Sequence, residues 1–284
     1  SKGGHDVRLA EKDNYWGGRV TREASLPGLA SWGRVRDWRM MHLKQAANAE
    51  LYLESAMTAD DVLASGTKHI VLATGAEWRR DGFGKHHRMR LDFLNHEAVL
   101  TPDDVMMQGF DDRPDGPVVI FDDDGYYMGS VMAEMAAATG RAVTFVMPSP
   151  VVAPWTDLTL EQSRIQTRLI ELGVNIIGLH GLEDYDGTAL TIGCAYSGKT
   201  QKLDAGVVVS VTSRQPNTEL WDAVMARQDE FADLGIASVD RIGDGHNPGL
   251  IAHAVYAGHE YAQSHLSAAP ELFHRTDIAH IIWT

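Results

Sequence analysis

The sequence has 284 residues, of which 44% are hydrophobic and 23% are charged, and its formal net charge is −14 at pH 7. This length fits two domains of about 100 to 200 residues each, and the composition is typical of a globular protein, which excludes a disordered chain. The negative charge disfavours binding to nucleic acid or to an anionic membrane surface.

The first hundred residues alternate between strand and helix patterns. Residues 5–11 alternate as a short strand does, Gly17 and Gly18 follow in one loop, and residues 32–53 pass from helical spacing to a strand. Thr58 is placed to cap a helix that has acids in its first turn, and residues 70–73 form a buried strand that runs into Gly75. The pattern predicts a βαβ unit that is truncated, because the strand, phosphate loop and helix that normally come first are missing.

A second α/β unit follows a connection at residues 79–115, which is rich in Arg, His, Asp and Gly and has little periodicity. Residues 118–121 predict a buried strand, residues 128–139 a helix that ends at Gly140, and residues 142–147 another strand, which together complete one βαβ. Further helices are predicted at residues 160–172 and 249–265, and further strands at 174–177, 189–192 and 206–212.

We therefore predict an α/β fold with two Rossmann-like nucleotide-binding domains. Residues 1–114 and 204–270 form the first domain, which is truncated at its N-terminus, and residues 115–203 form an inserted second domain. Residues 271–284 are expected to be a C-terminal tail.

Seven residues are candidate contacts for a nucleotide in the first domain. Glu11 ends a strand, where dinucleotide folds place an acid that accepts hydrogen bonds from ribose hydroxyls. Each signal alone is also typical of an ordinary turn, and their order along the chain favours the nucleotide interpretation. The glycines let the backbone approach a ligand, and the candidates are Glu11, Gly17, Gly18, Thr74, Gly75, Gly243 and Asp244.

An acidic loop follows the first strand of the second domain. Asp122, Asp123 and Asp124 stand where a dinucleotide fold carries a glycine-rich phosphate loop. Carboxylates there repel a pyrophosphate, so we expect no NAD(P)H at this position. A phosphatase of the haloacid-dehalogenase type would use Asp122 and Asp124 with Mg²⁺, but Tyr126 replaces its usual Thr or Ser. An acidic edge without function is the third interpretation.

Other site signals are weak. Cys194 is the only cysteine, which excludes an internal disulfide and a Cys-ligated iron–sulfur cluster within these residues. The histidines do not have the spacing of a zinc site, and no catalytic residue is predicted. Without a signal peptide or an apolar run of about 18 residues, the sequence predicts a cytoplasmic location.

Taken in order, specific segments resemble the trimethylamine dehydrogenase and dimethylamine dehydrogenase family, and the similarity covers nearly the whole chain. The most specific are Leu26-Pro27-Gly28-Leu29 and Met57-Thr58-Ala59-Asp60-Asp61-Val62-Leu63. Others are Arg36-Asp37-Trp38-Arg39, Ala73-Thr74-Gly75-Ala76 and Ile242-Gly243-Asp244. One departure is Ser213, which stands where the glycine of a Thr-Gly turn is expected.

The resemblance implies the C-terminal half of a larger flavoprotein with glutathione-reductase-type nucleotide-binding domains. It implies an upstream (β/α)₈ barrel that carries FMN and a [4Fe–4S] cluster and oxidatively demethylates a secondary or tertiary amine. It implies transfer of electrons to an electron transfer flavoprotein, a homodimer, and ADP as the ligand of this part, which itself performs no catalysis.

Two alternatives stay open. The first is an NAD(P)H-dependent ene- or dienoyl-reductase of the same architecture, with FMN, an iron–sulfur cluster, and FAD in place of ADP. The second is a free-standing nucleotide-binding module that interacts with another protein. The resemblance also implies that the contacts to the amine substrate lie in the upstream barrel.

Overall fold

The computed structural model describes residues 4–264, so the predicted tail at 271–284 lies outside the described residues. The strands are β1 Val7–Ala10, β2 Ala49–Tyr52, β3 His69–Leu72, β4 Ala76–Trp78, β5 Val99–Leu100, β6 Val118–Asp122, β7 Val143–Val146, β8 Asn175–Ile177, β9 His180–Tyr185, β10 Ala189–Cys194, β11 Thr200–Asp204, β12 Val207–Val211, β13 Arg214–Pro216 and β14 Ser238–Arg241. The α-helices are α1 Arg19–Glu23, α2 Gly33–Gln45, α3 Ala59–Leu63, α4 Pro102–Gln108, α5 Met128–Ala138, α6 Gln162–Glu171, α7 Glu219–Met225 and α8 Ile251–Ser264.

The chain divides into two compact units. Among the described residues, unit 1 consists of residues 4–21, 33–76 and 216–264, and unit 2 of residues 22–32 and 77–215. Residues 22–32, 77–114 and 204–215, which the sequence pattern assigns to the first domain, lie in unit 2. The physical reason is strand pairing, because β5 and β12 are neighbours in the central sheet of unit 2.

Unit 2 is built on a five-stranded parallel sheet with the order β5-β12-β6-β7-β8. Every residue of β6 and β12 is buried, as expected for strands that are covered on both faces. Alternate residues such as Ile120 and Val209 pack against α5, whereas Phe121 and Val208 pack against the antiparallel sheet β11-β10-β9. The predicted βαβ of residues 118–147 is therefore observed.

The connection at residues 79–115 is more ordered than its sequence indicates. It contains β5 and α4, which neither hydrophobic periodicity nor length revealed. Thr101 caps α4 through a reciprocal pair of hydrogen bonds with Asp104, Pro102 occupies the first turn, and Gly109 ends the helix at a φ of 64°. The helix is thus specified by its caps, because its seven residues are too few for a periodic signal.

Unit 1 contains two separate pairs of parallel strands. In one pair β1 lies beside β2, and in the other β14 lies beside β3. The second pair packs with α3 and α7 around Val62, Leu72 and Val224, which are buried. In the part of the chain that the structure describes, no helix is long and apolar enough to cross a membrane.

Candidate functional site

The two late glycine turns predicted from sequence meet in unit 1. Leu72 of β3 is in register with Arg241 of β14, so both strands end at the same edge and their turns follow side by side. A Cβ atom added to Gly245 would lie 2.9 Å from the Thr74 hydroxyl and 3.1 Å from the Thr74 amide nitrogen. Only glycine allows this approach of one backbone turn to the other.

The Thr74–Gly75 turn is held by a residue that sequence reasoning missed. The Thr74 hydroxyl donates to the carbonyl of Asn217 at 2.7 Å, and the Asn217 side-chain amide donates back to the Thr74 carbonyl at 3.1 Å. The Asn217 amide N–H also donates to the Gly75 carbonyl at 3.0 Å. Asn217 lies 143 residues from Thr74, and no local pattern identifies such a partner.

Gly243 and Asp244 shape the loop before α8. Gly243 has a φ of 59°, a left-handed conformation that favours glycine. A carboxylate oxygen of Asp244 accepts a hydrogen bond from the Gly249 amide at 2.9 Å. This pair therefore fixes the loop in front of the helix, which is the position where a helix can receive an anion.

Glu11 and the two early glycines lie at the end of the other strand pair. Glu11 directly follows β1, and one of its carboxylate oxygens accepts from the Asp13 amide at 3.1 Å. A Cβ atom on Gly17 would lie 2.7 Å from the Thr21 hydroxyl and 2.9 Å from the Arg36 side chain, so this glycine makes room for neighbours within the protein. Gly18 has a φ of 48° and faces open space.

The acidic loop of unit 2 is folded inward. Asp122 is 2% exposed, and its Oδ1 accepts from the Gly125 amide at 3.0 Å. The Oδ2 of Asp123 accepts from the His86 amide at 2.8 Å. Burial raises the pKa of Asp122 to about 8, with the neighbouring Asp124 adding to the effect, and burial also raises the pKa values of Asp123 and Asp124.

This arrangement does not fit the phosphatase interpretation. A phosphatase nucleophile must present its carboxylate to a phosphoryl group, whereas the Asp122 carboxyl lies against α5. A Cβ atom on Gly129 would come within 2.6 Å of the Asp122 Cγ. Within residues 4–264, no group of three His, Cys, Asp or Glu side chains could hold a metal ion.

The Asp122 carboxyl also fills the space where a dinucleotide fold keeps bare backbone for a pyrophosphate. The first turn of α5 has no side-chain cap, and the loop contributes Tyr126 and Tyr127 beside the acids. The hydroxyl of Tyr127 donates to Glu23 at 2.7 Å, and the ring of Tyr127 packs edge-on against Trp32. The loop is therefore closed by internal contacts.

Comparison with known proteins places these sites in context. The chain is 30% identical to dimethylamine dehydrogenase of Hyphomicrobium sp. (strain x) over 94% of its own length and 39% of that protein. The structure resembles histamine dehydrogenase from Rhizobium sp. 4-9 with a TM-score of 0.90 and 42% identity, covering 94% of this chain and 41% of that one.

A second structural neighbour is the 6-hydroxypseudooxynicotine amine oxidase of Pseudomonas geniculata N1. It has a TM-score of 0.88 and 33% identity, over 93% of this chain and 39% of that one. No family model matches the sequence. The chain thus spans about two fifths of the length of these relatives.

Proposed function

The chain belongs to the family of dimethylamine and trimethylamine dehydrogenases and corresponds to its C-terminal part, and from this premise we propose that it is the ADP-binding, non-catalytic part of an amine dehydrogenase. The observation that carries the proposal is the meeting of the Thr74 and Gly245 turns at one edge of the β3–β14 pair. Turns of this kind, at the carboxyl ends of parallel strands, are where α/β folds bind nucleotides.

The residues present fit an ADP ligand in two respects. Glu11 follows β1, and one of its carboxylate oxygens accepts a hydrogen bond from the Asp13 amide. Because a carboxylate has several lone pairs, a ribose hydroxyl can donate to the same group. Backbone amides at Thr74, Gly75, Gly243 and Asp244 and the small residues Gly17 and Gly18 would surround the ligand. The phosphates themselves would be held by a glycine-rich loop that is not among these residues.

The rest of the proposal concerns a longer polypeptide. We propose that a further strand and helix complete unit 1, since β1–β2 and β3–β14 form separate pairs in a domain type that has one continuous sheet. Upstream, a (β/α)₈ barrel would hold FMN and a [4Fe–4S] cluster, which supply the oxidation of a secondary or tertiary amine. The whole protein would be a cytoplasmic homodimer that delivers electrons to an electron transfer flavoprotein.

The alternative reductase would hold FAD in unit 1 and NAD(P)H in unit 2. The contact between the Asp122 carboxyl and Gly129 disfavours it, because the position of the pyrophosphate is filled. A free-standing module is disfavoured by the two separate strand pairs of unit 1, which would leave backbone edges open.

The proposal is tested by mass spectrometry of the nucleotides released when the full-length polypeptide is denatured. We expect one ADP per chain and no FAD. Stoichiometric FAD would instead move the protein to the NAD(P)H-dependent reductases, and the absence of any adenine nucleotide would refute nucleotide binding in unit 1.

A substitution locates the ligand within unit 1. We expect Glu11→Gln to weaken ADP binding by about tenfold or more, since a hydrogen bond to a charged group contributes about 1.5 to 3 kcal/mol. Glu171→Gln, at an exposed position at the end of α6 in unit 2, is the matched control and should leave the affinity unchanged. Equal affinities for the two variants would remove Glu11 from the site.

A further inference from the structure

The last residue of β6 buries a carboxyl group that is only half satisfied. Asp122 is in register with Val211 of β12, and its Oδ1 accepts from the Gly125 amide at 3.0 Å. Its Oδ2 is buried and has no hydrogen-bond partner among the described residues. The carboxyl carbon packs against Gly129 in the first turn of α5, so the side chain is enclosed between strand and helix.

The charges that surround this carboxyl do not neutralise it. Asp123 and Asp124 belong to the same loop and raise its pKa, whereas Lys85 lowers it. The Lys85 ammonium donates to the carbonyl of Asp124, and no salt bridge joins Asp122 to a cation in the described part of the chain. The other charged groups near the loop are His86 before β5, Glu23, Glu161 before α6, and Arg214 of β13.

The two elements that enclose the carboxyl, the first turn of α5 and the end of β12, carry no charged side chain. A buried carboxylate without a cation or a full set of donors costs several kcal/mol, whereas a neutral acid in the same place forgoes one hydrogen bond. The enclosure therefore favours the protonated form, in agreement with the pKa of Asp122, which burial raises to about 8.

We propose that Asp122 is held as a neutral carboxylic acid that fastens loop 122–127 to the start of α5, and that loss of its proton to solvent in the alkaline range releases this loop. The inference does not depend on the identity of the nucleotide in unit 1. The loop lies at the edge of the unit 2 sheet where related folds bind a ligand, and its attachment to α5 would depend on pH.

Release of the loop would change the surroundings of Trp155. The carbonyl of Gly125 accepts from the Trp155 amide at 3.0 Å, and the Lys85 ammonium lies 5.4 Å from the centre of the Trp155 ring. Trp155 is 53% exposed. Trp155 therefore reports the state of the loop, because opening changes both the contact of its backbone and the cation beside its ring.

The first experiment follows the proton directly. Carbon-13 spectra of the protein labelled at aspartate carboxyls are recorded between about pH 6 and pH 10, for the native sequence and for Asp122→Asn. We expect one resonance that titrates near pH 8 in the native protein and is missing from the variant. A native spectrum in which that resonance is already at its ionised position at pH 6 would overturn the proposal.

The second experiment follows the loop. Trp155 fluorescence, isolated by subtracting a Trp155→Phe variant, should change with the same midpoint as the carboxyl resonance. Asp122→Asn keeps the shape of the side chain but cannot ionise, so its fluorescence should stay constant over the same range. A transition that persists in Asp122→Asn, or native fluorescence that stays constant while the carboxyl titrates, would refute the proposal that ionisation of Asp122 releases the loop.

A third variant perturbs the enclosure without removing the acid. Gly129→Ala places a methyl group within 2.6 Å of the Asp122 carboxyl carbon and must displace it toward solvent. We expect the titration midpoint of the Asp122 carboxyl to fall by at least about one pH unit, which corresponds to tenfold weaker binding of the proton. Gly258→Ala, on a helical glycine with open space around it, is the control. A folded Gly129→Ala protein with an unchanged midpoint would contradict the proposal.

Discussion

The parallel strands of unit 2 and those of unit 1 have different surroundings. In unit 2, β6 and β12 are buried along their whole length because each has a strand on both sides and a layer on both faces. In unit 1, β1 pairs with β2 alone among the residues that the structure describes, and three of its four residues are exposed. Apolar residue types alone do not bury a strand, because β1 contains Val7 and Leu9 and is still mostly exposed.

The ends of these strands differ as well. At the end of β3, the backbones of Thr74 and Gly245 approach each other closely. At the end of β6, the Asp122 carboxyl fills the corresponding space against Gly129. The end of a parallel strand can therefore hold two closely packed turns or be filled by a buried side chain.

The largest expected difference between the units is in their response to lost core volume. Phe145→Ala, at a fully buried position of β7, should destabilise unit 2 by about 3 to 5 kcal/mol. Leu9→Ala, at a position of β1 that is 37% exposed, should cost less than about 1 kcal/mol. Hydrogen exchange during urea unfolding measures the free energy of unfolding of each unit separately. Equal losses of this free energy for the two variants would contradict the comparison.

Acidification should affect unit 2 through His87. Burial lowers the pKa of His87 to about 4, and its Nε2 accepts from the Leu182 amide at 2.9 Å. At this side chain the unfolded chain then binds more protons between about pH 6.5 and pH 4, so the contribution of His87 to stability falls as the pH is lowered through this window.

The ring of His87 is only half-buried, so screening by solvent limits the loss to on the order of 1 kcal/mol. His87→Gln preserves an acceptor and cannot become charged, so the stability difference between the native protein and His87→Gln should change by this amount across the window in thermal unfolding. His259→Gln, at an exposed position of α8, is the control and should retain the native pH dependence. A native pH dependence in His87→Gln would assign the effect to another group.

The smallest expected difference concerns two similar helix caps. Thr58 caps α3 in unit 1 and Thr101 caps α4 in unit 2, each with an Asp three residues later. Thr58 is exposed, whereas Thr101 is 5% exposed. We expect Thr58→Ala to cost about 0.5 to 1 kcal/mol and Thr101→Ala up to about 2 kcal/mol. Chemical denaturation compares them, and a larger loss for Thr58→Ala would reverse the interpretation.

Local patterns predicted much of the fold correctly. The βαβ at residues 118–147 has a run of Val, Ile and Phe, a helix rich in Met and Ala, and a glycine after it. Helix α3 begins at the predicted cap, Thr58. Strands β9 and β11 were missed, because their exposed or mixed residues have no clear alternation and are stabilised by pairing with β10.

The candidate site was predicted only in part. The glycine turns at Thr74–Gly75 and Gly243–Asp244 were recognised, and the structure places these two turns side by side through Gly245. The contact of Asn217 with Thr74 and the inward orientation of the Asp122 side chain were not predicted. The first depends on residues that are far apart in the chain, and the second on the packing of a strand against a helix. Whether these turns bind a nucleotide stays a prediction.

The sequence by itself determined the family of this protein, its α/β class, the cap of α3, and the acidity of the loop after β6. These features are local, since they depend on residue types at short spacings. Only the tertiary structure decided that β5 joins the sheet of unit 2 and that Asp122 faces α5 in a space without a cation. The physical reason is that strand pairing and burial are set by neighbours far away in the chain, and burial decides whether a carboxyl carries its charge.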